Sequence, residues 1–285
     1  MYRMIAIDLD GTLLTDQLTI SPGTRTAIQK AIETGTIVTI ATGRMFSSAK
    51  LIAQQLGIKA PLITYQGAMI KATGEDSLYE RAVSPAISQK LIEIACNQNL
   101  HLQVYQDDIL YGAAETDKLI AYAKAVEVPY TVEPDLTRLA QKGFTKLLFI
   151  DEPDVLALLQ KELQLLFGAS AYIEKSKKNY LEVTHPEANK GSALLFLANQ
   201  LGIDRSEIIG IGDNHNDAEL LKAAGFGIAM GNAVQEVKDI ADYVSFTNND
   251  EGVLHAIDKF ILKPANAGTT QEGSEDHAQF GRKKL

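Results

Sequence analysis

Two aspartates separated by one residue, Asp8 and Asp10, follow directly after an apolar run from Met4 to Ile7. An uninterrupted apolar run is typical of a strand buried on both faces of a parallel sheet. The carboxylates, with Gly11 and Thr12 behind them, therefore come where the strand ends, which is where ligands bind in open α/β sheets. Such a carboxylate pair can share a divalent cation, and one oxygen can then attack an electrophile such as phosphorus. Taken alone, these residues are equally compatible with an ordinary acidic turn.

Three further polar clusters occupy comparable positions in the chain. Thr42 and Gly43 follow the apolar segment 36–41, and Lys190 opens a predicted helix. The last cluster, after the apolar segment 208–211, contains Asp213, Asn216 and Asp217. Each cluster has its own ordinary alternative: a helix cap, a solvated lysine and an acidic turn at a helix N-terminus. Because the carboxyl ends of parallel strands meet at one edge of a sheet, all four clusters together favour a single active site.

The composition limits the class of protein and its partners. The chain has 285 residues, 46% of them hydrophobic and 22% charged, which is typical of a globular protein of one or two domains. Its formal net charge of -9 disfavours nucleic acid and anionic membranes as partners. The single cysteine, Cys96, excludes an intramolecular disulfide and is predicted to be a small core residue. With neither a signal segment nor an apolar run of about 18 residues, we expect a cytoplasmic protein that acts on small molecules.

The order of predicted elements indicates two domains. Residues 4–65 predict a β-α-β-α-β series whose third strand is Pro61–Tyr65, which implies a parallel sheet with right-handed crossovers. From about residue 82 to 186, helices mix with alternating strands, including a hairpin around Asp107 and Asp108, and regular βα spacing resumes at Lys190. We therefore predict an α/β fold with a Rossmann-like parallel sheet core and an inserted α+β domain. The predicted bounds are 1–81 and 187–262 for the core, 82–186 for the insert and 263–285 for a disordered tail.

Four short motifs give the chain a specific resemblance. They are D-L-D-G-T at Asp8 to Thr12, A-T-G-R at Ala41 to Arg44, N-K-G at Asn189 to Gly191 and G-D-N-x-N-D at Gly212 to Asp217. In this order they resemble the motifs of the haloacid dehalogenase superfamily, over residues 1 to about 262. The insert resembles the type IIB cap of the Cof-type sugar-phosphate phosphatases. One departure is Gln66, where that subfamily more often has asparagine.

The resemblance implies a Mg²⁺-dependent phosphatase that hydrolyses small phosphate esters, sugar phosphates first, through an aspartyl-phosphate. Asp8 would be the nucleophile, and Asp10 would protonate the leaving alcohol and then take a proton from water, which requires a carboxyl that exchanges protons near neutral pH. The implied metal-binding residues are Asp8, Asp10 through its main-chain carbonyl, Asp213, and Asp217 as an outer ligand. The implied substrate-binding residues are Leu9, Thr42, Gly43, Lys190 and Asn216, of which Thr42 and Lys190 are also catalytic.

Three other functions remain open at this stage. A phosphomutase would pass the phosphoryl group to a second sugar hydroxyl, and a phosphometabolite sensor would bind without turnover. Haloacid dehalogenation needs neither Mg²⁺ nor a second aspartate like Asp10. The partner of Arg44, the identity of the phosphorylated metabolite and the oligomeric state also remain open.

Overall fold

The computed structural model describes residues 2–263, whose strands form three sheets. The strands are β1 (Met4–Ile7), β2 (Ile37–Ile40), β3 (Leu62–Thr64), β4 (Met69–Lys71), β5 (Ser77–Glu80), β6 (His101–Gln106), β7 (Ile109–Gly112), β8 (Tyr130–Val132), β9 (Lys146–Ile150), β10 (Tyr172–Lys177), β11 (Tyr180–Thr184), β12 (Ile208–Gly212), β13 (Phe226–Ala229) and β14 (Tyr243–Val244). The helices are α1 (Pro22–Glu33), α2 (Phe46–Leu56), α3 (Pro85–Asn97), α4 (Asp117–Ala125), α5 (Pro153–Phe167), α6 (Lys190–Gln200), α7 (Ala218–Ala223), α8 (Gln235–Ile240) and α9 (Gly252–Ile257). The predicted disordered tail lies outside the described residues apart from Lys263.

The core sheet has five parallel strands in the order β14-β13-β12-β1-β2. Strand β1, which lies between β12 and β2, is fully buried, as its apolar run predicts. Ile5 and Ile7 pack with residues of α1, α2 and α9, while Met4 and Ala6 pack with residues of α6, α7 and α8 on the other face. The result is the predicted Rossmann-like layer of helices on each side of a parallel sheet.

The third predicted strand does not extend the core sheet as expected. Strand β3 touches the core sheet through a single parallel bridge between Ala41 and Ile63, and it pairs antiparallel with β4, which pairs antiparallel with β5. The cause is the turn after β3, where Tyr65 and Gln66 have left-handed φ values of 52° and 58°. This turn reverses the chain, so the next strand returns beside β3 instead of crossing over as a helix.

The inserted domain, called the cap below, is built on a six-stranded sheet in the order β10-β11-β9-β6-β7-β8. All neighbouring strands in it are antiparallel except β7 and β8, so the predicted mixed α+β insert is confirmed. Helices α3 and α5 cover one face of this sheet. The predicted hairpin joins β6 and β7 through Asp107 and Asp108. The chain enters the cap between β5 and α3 and leaves it between β11 and α6, and the predicted limits 82 and 186 stay a prediction.

Two smaller findings concern exposure and hydropathy. Cys96 is exposed and not a core residue, because α3 packs into the cap through other residues, among them Leu91, Ile92 and Ala95. Within residues 2–263, every helix is too short or too polar to cross a membrane.

Helix α2 of the core takes its N-terminal cap from the inserted domain. Met45 precedes the helix and provides no side-chain hydrogen bond, but the backbone N–H of Ser47 donates to Oδ2 of Asp108 at 3.0 Å. The Tyr65 hydroxyl donates to Oδ1 of the same aspartate at 2.7 Å. A carboxylate at a helix N-terminus also interacts favourably with the helix dipole. Asp108 therefore fastens the cap to the core.

We expect Asp108→Ala to have a free energy of unfolding about 2 kcal/mol below that of Asp107→Ala, because only the first removes a helix cap and the partner of a buried tyrosine hydroxyl. The two positions form a matched pair, since both have positive φ (58° and 54°), so alanine meets a similar backbone strain at each. Urea denaturation of the two variants measures the difference. Equal stabilities would show that Asp108 contributes nothing to the contact between cap and core.

Candidate active site

A cavity of about 310 Å³ lies between the carboxyl edge of the core sheet and the cap. Its core side includes residues that follow β1, β2 and β12, namely Asp8, Asp10, Gly11, Thr42, Gly43, Arg44, Asn214 and Asn216. Its cap side consists of Tyr122, Val126, Lys146, Ser176, Lys177, Tyr180 and Glu182. A cavity of this size suits one small molecule.

Lys190 joins the ends of two neighbouring core strands beside this cavity. It is the first residue of α6, and Asn189 caps that helix by accepting a hydrogen bond from the backbone of Ser192 at 2.8 Å. The ammonium is buried and donates to Oδ1 of Asp8 and to Oδ1 of Asp217, both at 2.6 Å. The alternative of a solvated lysine is therefore wrong. Lys190 is a buried cation held between two carboxylates.

Asp217 has both carboxylate oxygens engaged by the protein. Besides the bond from Lys190 to Oδ1, its Oδ2 accepts hydrogen bonds from the backbone N–H groups of Asp213 and Asn214, at 3.0 and 3.1 Å. These bonds close the loop after β12 before α7 begins. Asp213 and Asp217 are thus brought together by the loop between β12 and α7. This arrangement suits a residue that holds the neighbouring groups of the site, Lys190 and the Asp213 backbone, in place.

Asp213 faces Asp8 across a turn that requires glycine. Gly11 has a φ of +84°, and a Cβ at this residue would lie 2.6 Å from Oδ2 of Asp213. The hydroxyl of Thr12 donates to Oδ1 of Asp213 at 2.7 Å. The D-G-T sequence after β1 thus provides both the room for this carboxylate and one of its hydrogen bonds. Burial, together with the nearby Asp217 charge, raises the pKa of Asp213 to about 7.

The acidic cluster has the chemistry of a site for a hard cation. Oxygens of Asp8, Asp213 and Asp217 lie within 4.8 Å of one another, while Lys190 offsets only one of the three charges. Burial and the Asp217 carboxylate raise the pKa of Asp8 well above its ordinary value, so the free protein holds this negative charge unfavourably. Carboxylate oxygens are the ligands that Mg²⁺ prefers, and the residues present therefore fit a Mg²⁺ site.

The carboxylate of Asp10 has a different partner, which the sequence left open. Arg44 binds it through two hydrogen bonds, from Nε to Oδ2 at 2.8 Å and from Nη2 to Oδ1 at 2.7 Å. Burial acts to raise the pKa of Asp10, but the Arg44 guanidinium outweighs it and holds the pKa below its ordinary value. The expectation of an Asp10 carboxyl that titrates near neutral pH is therefore wrong for this state, because a bidentate cation stabilises the charged form.

Among the remaining predicted substrate-binding residues, Thr42 and Asn216 border the cavity, whereas Leu9 has its side chain in the core. Thr42 and Asn216 line the cavity, where Oγ1 of Thr42 accepts from the backbone of Arg44 at 3.1 Å and Nδ2 of Asn216 donates to Oε1 of Gln66 at 3.0 Å. The side chain of Leu9 lies in the hydrophobic core, so only its backbone could contact a ligand there. Gln66, the departure from the subfamily pattern, thus positions Asn216.

Lys146 and Glu182 line the same cavity and were missed from the sequence. Lys146, at the start of β9, donates from Nζ to the carbonyl of Gly43 at 2.7 Å and lies 3.5 Å from Oε2 of Glu182. Burial lowers the pKa of Lys146, although the Glu182 charge opposes this shift. One signal could have identified it: Lys146 is a charged residue directly before the apolar run 147–150, which is typical of a buried strand.

Comparison with known proteins gives the family of the chain. A model of the haloacid dehalogenase-like hydrolases matches residues 5–257. The chain is 30% identical over 267 residues to 5-amino-6-(5-phospho-D-ribitylamino)uracil phosphatase YitU of Bacillus subtilis, a match that covers 90% of this chain and 97% of the relative. The crystal structure of a Thermotoga maritima protein, 36% identical, superposes with a TM-score of 0.80 over 90% of this chain and 97% of that chain.

A second solved structure shares the fold with its cap. It belongs to a sugar phosphatase of haloacid dehalogenase subclass IIB, which is 21% identical and superposes with a TM-score of 0.79 over 90% of this chain and 98% of that chain. The predicted core sheet with an inserted mixed-sheet cap is the fold of these relatives. The chain belongs to the haloacid dehalogenase-like hydrolases and is a phosphatase that hydrolyses small phosphoric monoesters.

Proposed function

We propose that this phosphatase hydrolyses sugar phosphates in a Mg²⁺-dependent reaction, through an aspartyl-phosphate on Asp8. The observation that carries the proposal is the convergence of Asp213 and Asp217 on Asp8, which lines a cavity sized for one metabolite. The proposed ligands are the carboxylates of Asp8 and Asp213 and the main-chain carbonyl of Asp10, with Asp217 orienting them. Mg²⁺ bound there would mask the charge of the phosphate and let an anionic carboxylate approach phosphorus.

The reaction would proceed in two displacements. An oxygen of Asp8 attacks phosphorus while the bond from phosphorus to the leaving oxygen breaks, and Asp10 gives that oxygen a proton. Water then attacks the phosphorus of the aspartyl-phosphate and loses a proton to Asp10, which releases inorganic phosphate and restores Asp8. Lys190 holds the Asp8 carboxylate in place through its 2.6 Å hydrogen bond, so the nucleophile needs little reorganisation.

The phosphoryl oxygens would be bound by groups with unused donors. The Thr42 hydroxyl accepts a hydrogen bond from the Arg44 backbone, which leaves its own hydrogen for a phosphoryl oxygen. Asn216 donates one amide hydrogen to Gln66 and has a second one. The backbone amides of Leu9 and Gly43 complete the proposed set.

Asp10 must separate from Arg44 before it can act as an acid. The bidentate pair favours the carboxylate form, whereas the first displacement needs the protonated form. A bound phosphate ester is an anion that competes with Asp10 for the guanidinium. We therefore propose that the substrate itself releases Asp10 for catalysis.

Removal of divalent metal is the direct test of this function. We expect EDTA to lower the rate of p-nitrophenyl phosphate hydrolysis by at least ~100-fold, because metal-assisted charge masking contributes several kcal/mol to such reactions. Added Mg²⁺ should restore the rate, and inorganic phosphate should appear from sugar phosphates. Full activity in EDTA would refute the proposal, and isomerised sugar phosphate without inorganic phosphate would favour a phosphomutase.

The same assay has an expected pH dependence. Because the pKa of Asp213 is raised to about 7, protons compete with the metal below that pH. The Mg²⁺ concentration that gives half-maximal activity should therefore rise at least about tenfold per pH unit below 7, because Asp213 contributes one competing proton. An unchanged Mg²⁺ requirement between pH 5 and pH 7 would contradict a role for Asp213 as a ligand.

A further inference from the structure

The face of the cap sheet that borders the cavity carries a buried ion pair. Lys146 on β9 and Glu182 on β11 have only 1% and 5% of their surface exposed. Their strands are neighbours, and Glu182 stands opposite Leu148, two residues along from Lys146, so both side chains lie on the same face of the sheet. The other face of the sheet is apolar and packs against α3 and α5.

A contribution to the stability of the fold does not explain why this ion pair is present. A buried ion pair is on average no more stabilising than apolar residues of the same size, and it stabilises only when hydrogen bonds satisfy its remaining atoms. Here Nζ of Lys146 and Oε2 of Glu182 are 3.5 Å apart, and no donor within residues 2–263 makes a hydrogen bond to that oxygen. The other oxygen of Glu182 accepts from the Ser176 hydroxyl at 2.7 Å. The loose pair therefore has unused hydrogen-bonding capacity beside the active site.

The chemistry of Lys146 and Glu182 limits the kind of ligand group that could form the hydrogen bonds they leave unmade. A carboxylate accepts hydrogen bonds and an ammonium donates them, and a hydroxyl group can satisfy both because it has one donor and two acceptor sites. The pair has no net charge, so it offers no net attraction to a second anionic group. Tyr122 and Tyr180 line the cavity beside it and provide ring faces and hydroxyls. The ion pair and these two tyrosines form one wall of the cavity, and this wall matches a neutral chain or ring that carries several hydroxyls.

Lys146 also connects this wall with the core. Its Nζ donates to the carbonyl of Gly43, which lies in the turn proposed to bind the phosphoryl group. The position of Glu182 relative to the phosphate is therefore set through one lysine, which also lies over the Tyr105 ring at 4.7 Å from its centroid. Ser176 holds the other oxygen of Glu182 at 2.7 Å, so the two contacts together fix how far the recognised hydroxyl lies from the phosphorus.

From these contacts we infer that Glu182, positioned by Lys146, is the residue that selects hydroxylated leaving groups in this phosphatase. The inference rests on the proposed function and goes further by assigning the recognition of the sugar or polyol to a particular side chain. Loss of one hydrogen bond to a charged group in a closed site lowers kcat/KM by ~10- to 100-fold.

The test compares two substrates with the same six-carbon chain, sorbitol 6-phosphate and n-hexyl phosphate, which differ in their hydroxyl groups. Wild-type protein should prefer sorbitol 6-phosphate in kcat/KM. Glu182→Gln should reduce that preference by ~10- to 100-fold. The matched control is Glu174→Gln, because Glu174 lies opposite Glu182 on the neighbouring strand and does not line the cavity. The control should keep the wild-type preference.

Each outcome supports or overturns the inference. An equal loss on both substrates in Glu182→Gln, or no preference in the wild type, would overturn the role of Glu182 and leave the proposed function standing. If the wild type released no phosphate from either ester or from p-nitrophenyl phosphate, the proposed function would fall and the inference with it. Should Glu182→Gln fail to fold, Glu182→Asp keeps the charge beside Lys146, moves it back by one methylene and should lower the same preference.

Discussion

Lys190→Met is expected to lower the free energy of unfolding of the metal-free protein by about 3–5 kcal/mol, which is the usual effect of removing one partner of a buried ion pair. Burial acts to lower the pKa of Lys190, but Asp217 and Asp8 raise it above the ordinary lysine value. A raised lysine pKa stabilises the folded protein at every pH below the ordinary value. The contribution is therefore fully present at neutral pH and is lost only in strongly alkaline solution.

Chemical denaturation with and without Mg²⁺ measures this effect. Without the ammonium, the carboxylates of Asp8 and Asp217 face each other and Asp213 uncompensated, so Mg²⁺ should stabilise the variant more than the wild type. Lys222→Met is the control, because Lys222 forms an exposed pair with Glu219 at 2.9 Å and should change stability by less than about 0.5 kcal/mol. If both lysine variants were equally stable, the bonds of Lys190 would not support the fold.

Asp8→Asn is expected to reduce phosphatase turnover by at least ~10⁴-fold, since an amide cannot replace the carboxylate that attacks phosphorus. The folded protein should tolerate the change. The pKa of Asp8 is raised by burial and by Asp217, so above the ordinary aspartate pKa its negative charge destabilises the metal-free protein. The neutral amide avoids this cost, which offsets the loss of the bond to Lys190.

Steady-state kinetics and denaturation of the same preparation separate the two effects. The control is Asp16→Asn, because Asp16 also lines the cavity but binds Asn248 and Asn249 at its rim. Its turnover should stay within severalfold of wild type. Substantial activity in Asp8→Asn would require a different nucleophile and would end the aspartyl-phosphate proposal.

The convergence of the four motifs was predictable because it depends only on topology. Parallel strands with right-handed crossovers bring their carboxyl ends to one edge, and Asp8, Thr42 and Asp213 each follow such a strand. The start of α1 also follows from local sequence: Ser21 before Pro22 is a typical helix start, and Ser21 caps the helix by accepting a hydrogen bond from the backbone of Thr24 at 3.0 Å. Local chemistry and sheet topology were sufficient for these features.

Contacts between the cap and the core were not predictable in the same way. The pairing of Lys146 with Gly43, and of Asp108 with α2, depends on how the cap sits on the core, which periodicity and motif spacing do not determine. The pairing of Arg44 with Asp10 depends on a side-chain rotamer beside the cavity. The antiparallel return of the chain after β3 depends on three consecutive residues with positive φ, Tyr65, Gln66 and Gly67, of which only the glycine is a usual sign of such a turn.

The position of β1 between β2 and β12 has a consequence for how the protein is made. Met4 pairs with Ile37 on one side and with Ile208 on the other, so β1 gains its second neighbour only after the whole cap has been translated. Until then, one edge of β1 has no ladder partner from the core sheet, and such contacts of long sequence separation form slowly. Nascent chains released before β12 should therefore aggregate or recruit chaperones, whereas the cap, whose strands lie within one continuous segment, can assemble first.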